Sequence, residues 1–482
     1  MGNEGRIEAL PHVVVVGGGI AGLAAAFTLK HAPVRVTLLE AEPTVGGKVT
    51  VSDVAGVAVD EGAEAIYARR AKTTGLIAEA GLGEQITRAG AMAMATWSRR
   101  EWRALPGRLF MGVPCDLDEL KASDILSGEG MARARSEERS PSYDEGDVSV
   151  AEFIGGRMGQ EVVDRLVDPF ISGVYSGPAD QLSFEATLTP LVTASRKFPS
   201  LVEAAAAVMP TPRSGDEPGI ATIKGGLGTL PQVLADALLR DSSGARVRTR
   251  TSATGLARTE NRYQLTVHSS GRDEILDASA VVLALPAGPA GRLLGGLPNA
   301  AAAAKDLSEI PYADVATVTL AYPLGSMPPD VLRFAGYRVP AADGFAINSV
   351  IFTTAKWPHL AGEVEIVKCS IGRHGQEDLL QRDDDELKSL AMAEVAAATG
   401  LIGAPLAVRV RRWDQAVPQY TVGHLARVAR VRSFIAAFPG LAACGAIYDG
   451  VGVGMCMATG RRAAQQVLEA IGAGSGTHSS AG

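Results

Sequence analysis

Three glycines near the N-terminus have a spacing that suits the binding of a nucleotide diphosphate. Gly17, Gly19 and Gly22 form the pattern G-x-G-x-x-G. In such a pattern the first glycine permits a tight turn, the second lets a pyrophosphate approach the backbone, and the third lets a helix pack closely on a strand. The unpaired N–H groups at the start of the following helix attract phosphate. The chemistry that this spacing predicts is dinucleotide binding.

The flanking residues predict the elements that position these glycines. The apolar, β-branched run Val13–Val16 is typical of a strand buried on both faces, and Ala21–Lys30 suits a helix. A second strand, Val34–Leu39, ends at Glu40. A carboxylate there can accept hydrogen bonds from ribose hydroxyls and would repel a 2′-phosphate. The ligand is therefore expected to be NAD-like or FAD-like rather than NADP.

Composition narrows the class of protein. The chain has 482 residues, 46% of them hydrophobic and 5% aromatic, with a formal net charge of −7. This length suggests about three domains, and the apolar content suits a globular protein with a sizeable core. The negative charge gives no general support for a nucleic-acid partner. A local basic patch for an acidic small molecule stays open.

Cysteine usage and the N-terminus indicate a cytoplasmic protein without a metal site. The four cysteines contain no CxxC pair and the seven histidines show no ligand spacing, so neither a disulfide framework nor a metal is expected. The N-terminal residues lack the apolar core of a secretory signal, and no apolar run reaches about 18 residues. No transmembrane segment is predicted.

The remaining chain predicts an α/β (α+β) fold with interleaved domains. Residues 116–201 are mostly helical in pattern, with an exposed loop at Met131–Asp147 and a turn between helices at residues 168–183. Strands dominate residues 310–372, and a helix follows at Asp384–Thr399. The predicted units are a discontinuous nucleotide-binding domain (10–60, 218–296 and 436–470), a mixed-sheet substrate domain (61–90 and 297–435), a helical domain (91–217) and a disordered tail (471–482).

Several segments resemble known flavoenzymes. Gly46-Gly47-Lys48 is similar to the Gly-Gly-Arg/Lys element of flavin-dependent amine oxidases, which an NAD enzyme does not need. Four further segments resemble the porphyrinogen oxidase branch of that superfamily: DPFISGVYSG (168–177), GGLGTL (225–230), LPA (285–287) and GAIYDGVGV (445–453). The motifs span nearly the whole chain in the family's order. FTTAKWPH (352–359) and PQYTVGH (418–424) look more like the Gram-positive and actinobacterial coproporphyrinogen III oxidases than the protoporphyrinogen oxidases.

The resemblance implies a fold, a cofactor and a reaction. The fold is a Rossmann-like FAD-binding domain of the glutathione-reductase/p-hydroxybenzoate-hydroxylase type, with non-covalent FAD. The reaction is the six-electron, oxygen-dependent oxidation of coproporphyrinogen III in heme biosynthesis, giving hydrogen peroxide, with ferrochelatase as a possible acceptor of the product. The alternatives are a protoporphyrinogen IX oxidase, a flavin amine oxidase and a non-catalytic flavoprotein scaffold. An amine oxidase usually has an aromatic residue where this chain has Val451.

The resemblance also assigns site residues. The cofactor-binding set is Gly17, Gly19, Ile20, Ala21, Gly22, Glu40, Ala41, Gly47, Lys48, Val247, Val451, Gly452 and Val453. No catalytic side chain is named, since the cofactor carries out the chemistry.

A substrate with four propionates calls for basic groups around a broad apolar cavity. The candidates are Arg69, Arg70, Arg196, Lys197 and Lys356, with His424 as a weaker one. For each, a solvated surface charge is the plain alternative. Glu64 departs from the family, because many relatives have arginine at this position.

Overall fold

The computed structural model describes residues 10–68, 71–90, 93–137, 146–209, 219–240, 244–260 and 262–472, with backbone alone at 71 and 72. Arg69, Arg70 and the tail from residue 473 lie outside the described residues. The described strands are β1 (His12–Val16), β2 (Arg35–Leu39), β3 (Val51–Val54), β4 (Val57–Asp60), β5 (Ile66–Tyr67), β6 (Ile86–Arg88), β7 (Met94–Ser98), β8 (Glu101–Ala104), β9 (Leu109–Phe110), β10 (Val113–Pro114), β11 (Ile220–Ile223), β12 (Arg246–Arg248), β13 (Thr251–Arg258), β14 (Tyr263–Ser269), β15 (Arg272–Ala278), β16 (Ala280–Leu283), β17 (Tyr312–Pro323), β18 (Gly336–Arg338), β19 (Ile347–Phe352), β20 (Val364–Ile371), β21 (Ala407–Pro418) and β22 (Leu441–Ala443).

The described helices follow the same chain order. They are α1 (Ile20–Leu29), α2 (Ala71–Glu79), α3 (Leu117–Ala122), α4 (Gly128–Arg135), α5 (Val150–Met158), α6 (Gln160–Val162), α7 (Asp168–Tyr175), α8 (Phe184–Thr187), α9 (Thr189–Ser195), α10 (Leu201–Val208), α11 (Leu230–Leu239), α12 (Ala287–Leu294), α13 (Ala301–Ser308), α14 (Pro329–Leu332), α15 (Thr353–Lys356), α16 (Asp384–Thr399), α17 (His424–Ala436) and α18 (Val453–Ala470). Val163–Val167 is a π-helical turn, and 3-10 turns occur at Gly83–Gln85, Leu227–Thr229, Ala341–Asp343, Pro358–Leu360 and Glu377–Gln381. Within the described residues no helix is long and apolar enough to cross a lipid bilayer.

A parallel sheet of order β12-β2-β1-β16-β22 forms the centre of the nucleotide-binding fold. Its strands come from three distant parts of the chain, with Val14 paired to both Thr37 and Val281. All five residues of β1 are buried, as expected for a strand covered on both faces. Helices α1 and α18 pack together on one side of this sheet. The carboxyl ends of the parallel strands meet at one edge, where open sheets bind ligands.

A second sheet has the order β21-β17-β20-β19-β18-β7-β8. Its strands are antiparallel except that β18 pairs with β7 in parallel. Strands β7 and β8 lie inside the 91–217 segment predicted as helical, so the sheet reaches further into that segment than expected. Helix α16 covers one face of this sheet with its buried Leu387 and Val395.

The helical layer has its own apolar core and corrects one prediction. Residues 168–175 form helix α7 and residues 184–187 form helix α8, so the turn predicted within residues 168–183 lies in the second half of that segment. The π-helical turn Val163–Val167 ends two residues before Pro169 and widens the backbone where the proline ring would clash with the preceding turn. Met131–Arg135 belongs to helix α4, capped by Ser127, so the predicted loop is wrong there. Residues 138–145 lie outside the described residues.

Candidate functional site

The glycine turn after β1 is shaped by two close backbone approaches. Gly17 has a φ of +106°, and a Cβ there would lie 2.3 Å from the carbonyl oxygen of Ala284. A Cβ on Gly22 would lie 1.9 Å from the carbonyl oxygen of Gly17. Both positions therefore require glycine if α1 is to start directly above the end of β1.

Gly19 differs from its neighbours because it faces open space. A Cβ there would meet nothing within 4 Å. Gly19 caps α1 without a side-chain hydrogen bond, and Ile20 and Ala21 form the first turn. The first N–H groups of a helix have no partner within the helix. The space above Gly19, with N–H groups directed at it, fits a pyrophosphate.

Glu40 reaches back toward the glycine turn. Its Oε2 accepts a hydrogen bond from the N–H of Gly18 at 2.7 Å, and its Oε1 accepts one from Glu42 at 2.8 Å. A carboxylate can accept about four hydrogen bonds, so both oxygens keep capacity for ribose hydroxyls. Ala41 follows Glu40 and is exposed. Val247 on β12 pairs with Leu38 on the neighbouring strand β2, two residues before Glu40. These residues fit the ribose and adenine end of a dinucleotide.

The Gly46–Lys48 segment lies against the glycine turn. The N–H of Gly46 donates to the carbonyl oxygen of Gly18 at 2.9 Å, and a Cβ on Gly47 would lie 3.4 Å from Cα of Gly19. The Lys48 ammonium donates to the carbonyl oxygen of Gln415 and lies 5.7 Å from the centre of the Tyr312 ring. Although the Lys48 side chain is partly exposed, desolvation by the surrounding chain lowers its pKa to about 8. No carboxylate of the described residues pairs with this ammonium.

The C-terminal motif returns to the same sheet. Gly452 caps α18 with φ −70° and ψ 147°, and Val453 begins the helix. Helix α18 packs closely on α1, because Gly460 brings its backbone to the carbonyl oxygen of Ala21. Val451 is half-buried and packs against the helical layer. The predicted cofactor residues thus come together around the carboxyl edge of the parallel sheet, although their contacts with a cofactor stay a prediction.

A buried group of charges joins strand β20 of the second sheet to the segment that follows β4. Glu64 accepts a hydrogen bond from Lys356 at 2.6 Å and also pairs with Lys368. Burial alone would raise the pKa of Glu64, but the two lysines outweigh it and hold the pKa below its ordinary value. Lys368 also donates to the backbone carbonyl of Asp60 at 3.1 Å. The ammonium of Lys356 is therefore occupied by a carboxylate of its own chain.

Asp60, next to this group, fixes the GGLGTL turn. Its carboxylate accepts hydrogen bonds from the N–H groups of Leu227 at 2.9 Å and Gly228 at 2.8 Å. Burial raises the pKa of Asp60 to about 6. A small cavity adjoins Asp60 and Glu64, and the Thr222 and Thr353 hydroxyls that line it have no hydrogen-bond partner among the described residues. The cavity is therefore polar.

Of the other predicted substrate residues, Arg196, Lys197 and His424 lie within the described part of the chain, whereas Arg69 and Arg70 do not. Arg196 and Lys197 are exposed at the end of α9 in the helical layer. His424 is fully buried, stacks on Tyr420 at 3.9 Å and bonds through Nε2 to the carbonyl of Ile447. Burial lowers the pKa of His424 to about 4, so the ring is neutral and serves packing rather than anion binding.

Sequence reasoning missed Arg338, whose guanidinium lies between β18 and helix α7. Its Nη1 donates to the carbonyl oxygen of Pro169 at 3.1 Å, and the guanidinium lies 4.6 Å from the centre of the Phe170 ring. The sequence around it, Tyr337-Arg338-Val339, carries no motif. Only the packing of the helical layer on the second sheet brings Arg338 to Pro169.

Comparisons with known proteins cover nearly the whole chain. Residues 20–468 match the family described as flavin containing amine oxidoreductase. A Bacillus subtilis (strain 168) protein named coproporphyrinogen III oxidase is 29% identical over 470 residues, covering 95% of this chain and 98% of the relative. A Mycobacterium bovis protein of the same name is 33% identical over 467 residues, with 95% and 98% covered.

A solved structure shares the fold. It comes from Exiguobacterium sp. 255-15 and is described as a candidate protoporphyrinogen oxidase. Its TM-score is 0.82 at 29% identity, with 95% of this chain and 99% of that chain covered. The likeness confirms the predicted fold class.

Proposed function

The chain belongs to the flavin containing amine oxidoreductase family, and on this premise we propose that it oxidises coproporphyrinogen III to coproporphyrin III with dioxygen. The observation that carries the proposal is full-length similarity, at 29% and 33% identity, to proteins named for this reaction. The motifs at 352–359 and 418–424 support the same choice of substrate.

The proposed reaction removes six electrons and six protons from the macrocycle in three two-electron steps. Each step reduces one dioxygen to hydrogen peroxide. Bound FAD supplies the hydride acceptor and its reoxidation by dioxygen. The chain binds and orients: Gly19 and α1 hold the pyrophosphate, Glu40 holds the ribose, and Lys48 supplies a positive charge in the cleft.

Non-covalent attachment of the FAD is part of the proposal. All four cysteines are buried and free. Burial raises the pKa of the Cys444 and Cys456 thiols, which makes them poor nucleophiles at neutral pH. Buried, reduced cysteines also suit the proposed cytoplasmic location.

For the substrate, the proposed ligands of the propionates are Arg69, Arg70, Arg196, Lys197 and Lys356. The ammonium of Lys356 forms an ion pair with Glu64, and Lys368 forms a second ion pair with the same carboxylate. Asp60 lies beside this group, so two lysines face two carboxyl groups, and a propionate that binds Lys356 must compete with Glu64 for its ammonium.

Protoporphyrinogen IX oxidation is the second candidate, favoured by the description of the Exiguobacterium structure. It uses the same cofactor and chemistry on a substrate with two propionates. Amine oxidation is disfavoured, because Val451 packs against apolar residues of the helical layer where amine oxidases usually have an aromatic ring.

The test follows porphyrin fluorescence in air with the purified holoenzyme and either coproporphyrinogen III or protoporphyrinogen IX. We expect a higher kcat/KM with coproporphyrinogen III than with protoporphyrinogen IX. One molecule of hydrogen peroxide should form for every two electrons removed. Preference for protoporphyrinogen IX would reassign the substrate. Bound flavin that neither porphyrinogen reduces would indicate a non-catalytic scaffold. Transfer of the product to a ferrochelatase can be measured in the same assay.

A further inference from the structure

Arg338 carries a charge that no carboxylate among the described residues balances. Its Nε is buried and has no hydrogen-bond partner, and no carboxylate of the described residues forms an ion pair with its guanidinium. Of five N–H donors, the structure gives a partner to Nη1 alone, the carbonyl oxygen of Pro169. Burial lowers its pKa to about 10, so the group is still cationic at neutral pH.

A nearby arginine, Arg373, shows how a carboxylate and an amide can satisfy such a charge in this fold. Arg373 lies 3.1 Å from the carboxylate of Asp168 and donates to the side-chain oxygen of Asn348 through Nε and Nη2. A buried cation without such a partner destabilises a fold unless a ligand supplies the anion. Arg338 lacks this arrangement, although it lies against the same helix, α7.

The surroundings of Arg338 are apolar and shaped to its side chain. Its Nη1 occupies the space beside Gly173, where a Cβ would lie only 1.7 Å away. Phe170 packs against the guanidinium, and Val174 on α7 is 38% exposed. Tyr67, which lies close enough to Arg338 to raise the pKa of its guanidinium, is 61% exposed and precedes Arg69 and Arg70 in the chain. Exposed apolar groups around a cation suit a flat apolar ligand that carries carboxylates.

We propose that Arg338 binds one carboxylate of the porphyrinogen, and that Gly173 is glycine because its missing side chain makes room for this guanidinium. The inference rests on the proposed function, since it takes a porphyrin propionate as the anion. A planar guanidinium binds a carboxylate through two parallel hydrogen bonds. The two Arg338 donors best placed for this are Nε and Nη2, for which the structure shows no hydrogen-bond acceptor.

The first test measures binding rather than turnover. Holoenzyme is titrated with coproporphyrin III, and porphyrin fluorescence reports the dissociation constant. For Arg338→Met we expect affinity to fall about 10- to 100-fold, as for loss of a charged hydrogen-bond pair. Arg333→Met is the matched control, because Arg333 is an exposed arginine over the Phe334 ring on the same segment. Equal affinity in Arg338→Met and wild type would overturn the inference.

Stability separates a ligand-binding role from a structural one. Without porphyrin, Arg338→Met is expected to unfold at the same temperature as wild type or higher, because an unbalanced buried charge is removed. With saturating coproporphyrin III, the wild type should gain more in unfolding temperature than the variant. A variant that unfolds earlier without ligand and loses no affinity would make Arg338 a structural residue.

Gly173→Ala offers a second test that keeps the charge. The new methyl group displaces the guanidinium, so we expect weaker coproporphyrin III binding with the flavin spectrum unchanged. Unaltered binding in Gly173→Ala would refute the role given to this glycine, just as unaltered binding in Arg338→Met would refute the carboxylate site. If wild type binds coproporphyrin III through Arg338 but does not oxidise coproporphyrinogen III, the proposed reaction fails and the carboxylate site stands.

Discussion

Glu64 changes what Lys356 can do. The sequence motif around Lys356 indicates a substrate ligand, yet the ammonium is 2.6 Å from Glu64 and only 13% of the Lys356 side chain is exposed. Removal of Lys356 leaves Glu64 with Lys368, so the variant loses a structural ion pair as well as a charge next to the cavity that Glu64 lines. An effect on KM in such a variant is therefore interpretable only beside its unfolding temperature.

Lys48 predicts a pH dependence of flavin binding. Its pKa is lowered to about 8 by desolvation, and an anionic cofactor favours the protonated form. FAD affinity should therefore be constant below pH 8 and fall above it, by up to about tenfold per pH unit, until the higher pKa of the complex is reached. Titration of the apoprotein with FAD, followed by flavin fluorescence between pH 7 and pH 9.5, measures this.

Two substitutions at this position separate charge from contact. Lys48→Met should bind FAD more weakly at pH 7 and lose the pH dependence. Lys48→Arg should keep its charge throughout this range and bind with little pH dependence. A wild-type pH profile in Lys48→Met would assign the titration to another group.

The roles of some single residues can be predicted from the sequence, whereas the roles of others cannot. Gly17, Gly22 and Glu40 could be interpreted from spacing, because their geometry depends on one local strand-turn-helix unit. Arg338 could not, because its guanidinium meets Pro169 and Gly173 only after a distant helix packs on its strand. No local sequence pattern shows which buried cations lack a carboxylate partner in the folded protein.

At the scale of elements, helix α7 shows that proline and glycine do not by themselves mark a turn. Pro169 and Gly173 are typical of turns, but the π-helical turn before α7 accommodates the proline, and Arg338 takes the space beside the glycine. Helix α16 was predicted correctly at both ends, because Asp383 and Glu386 form a capping box and Gly400 ends the helix. Capping residues can be recognised in a sequence because they act locally. The contacts that let a helix contain a proline or a glycine cannot, because they come from distant parts of the chain.

The contact between α1 and α18 predicts the effect of one methyl group. A Cβ on Gly460 would lie 2.1 Å from the carbonyl oxygen of Ala21, so Gly460→Ala must push the two helices apart. Overpacking of this kind costs about 1–3 kcal/mol. We expect a lower unfolding temperature and reduced flavin content, measured by thermal denaturation and by the flavin-to-protein absorbance ratio.

The control for this substitution is Gly75→Ala in α2. A Cβ on Gly75 would meet nothing within 4 Å, and alanine favours a helix over glycine by about 1 kcal/mol. Gly75→Ala should therefore unfold at the same temperature or slightly higher. Equal stability of Gly460→Ala and wild type would mean that the two helices separate without cost.

At the scale of the whole molecule, the parallel sheet connects the chain's distant parts. The sheet contains β1 and β2 from the start of the chain, β12 and β16 from its middle, and β22 from near its end. The intervening residues build the second sheet and the helical layer. A unit assembled in this way cannot unfold without releasing both ends of each intervening segment. Cofactor binding at its carboxyl edge should therefore stabilise the molecule as a whole.

Calorimetry of apoprotein with and without FAD tests this coupling. FAD at about 100 times its dissociation constant adds about 2.7 kcal/mol to the free energy of unfolding. Because the cofactor sheet is built from strands that lie before, between and after the other segments in the chain, we expect the main transition to shift upward as one peak. Two peaks, of which FAD moves only one, would show that the helical layer and the second sheet unfold independently of the cofactor sheet. In that case the core around Leu166 and Leu191 would be stable without the flavin, and porphyrin rather than FAD would be expected to move its transition.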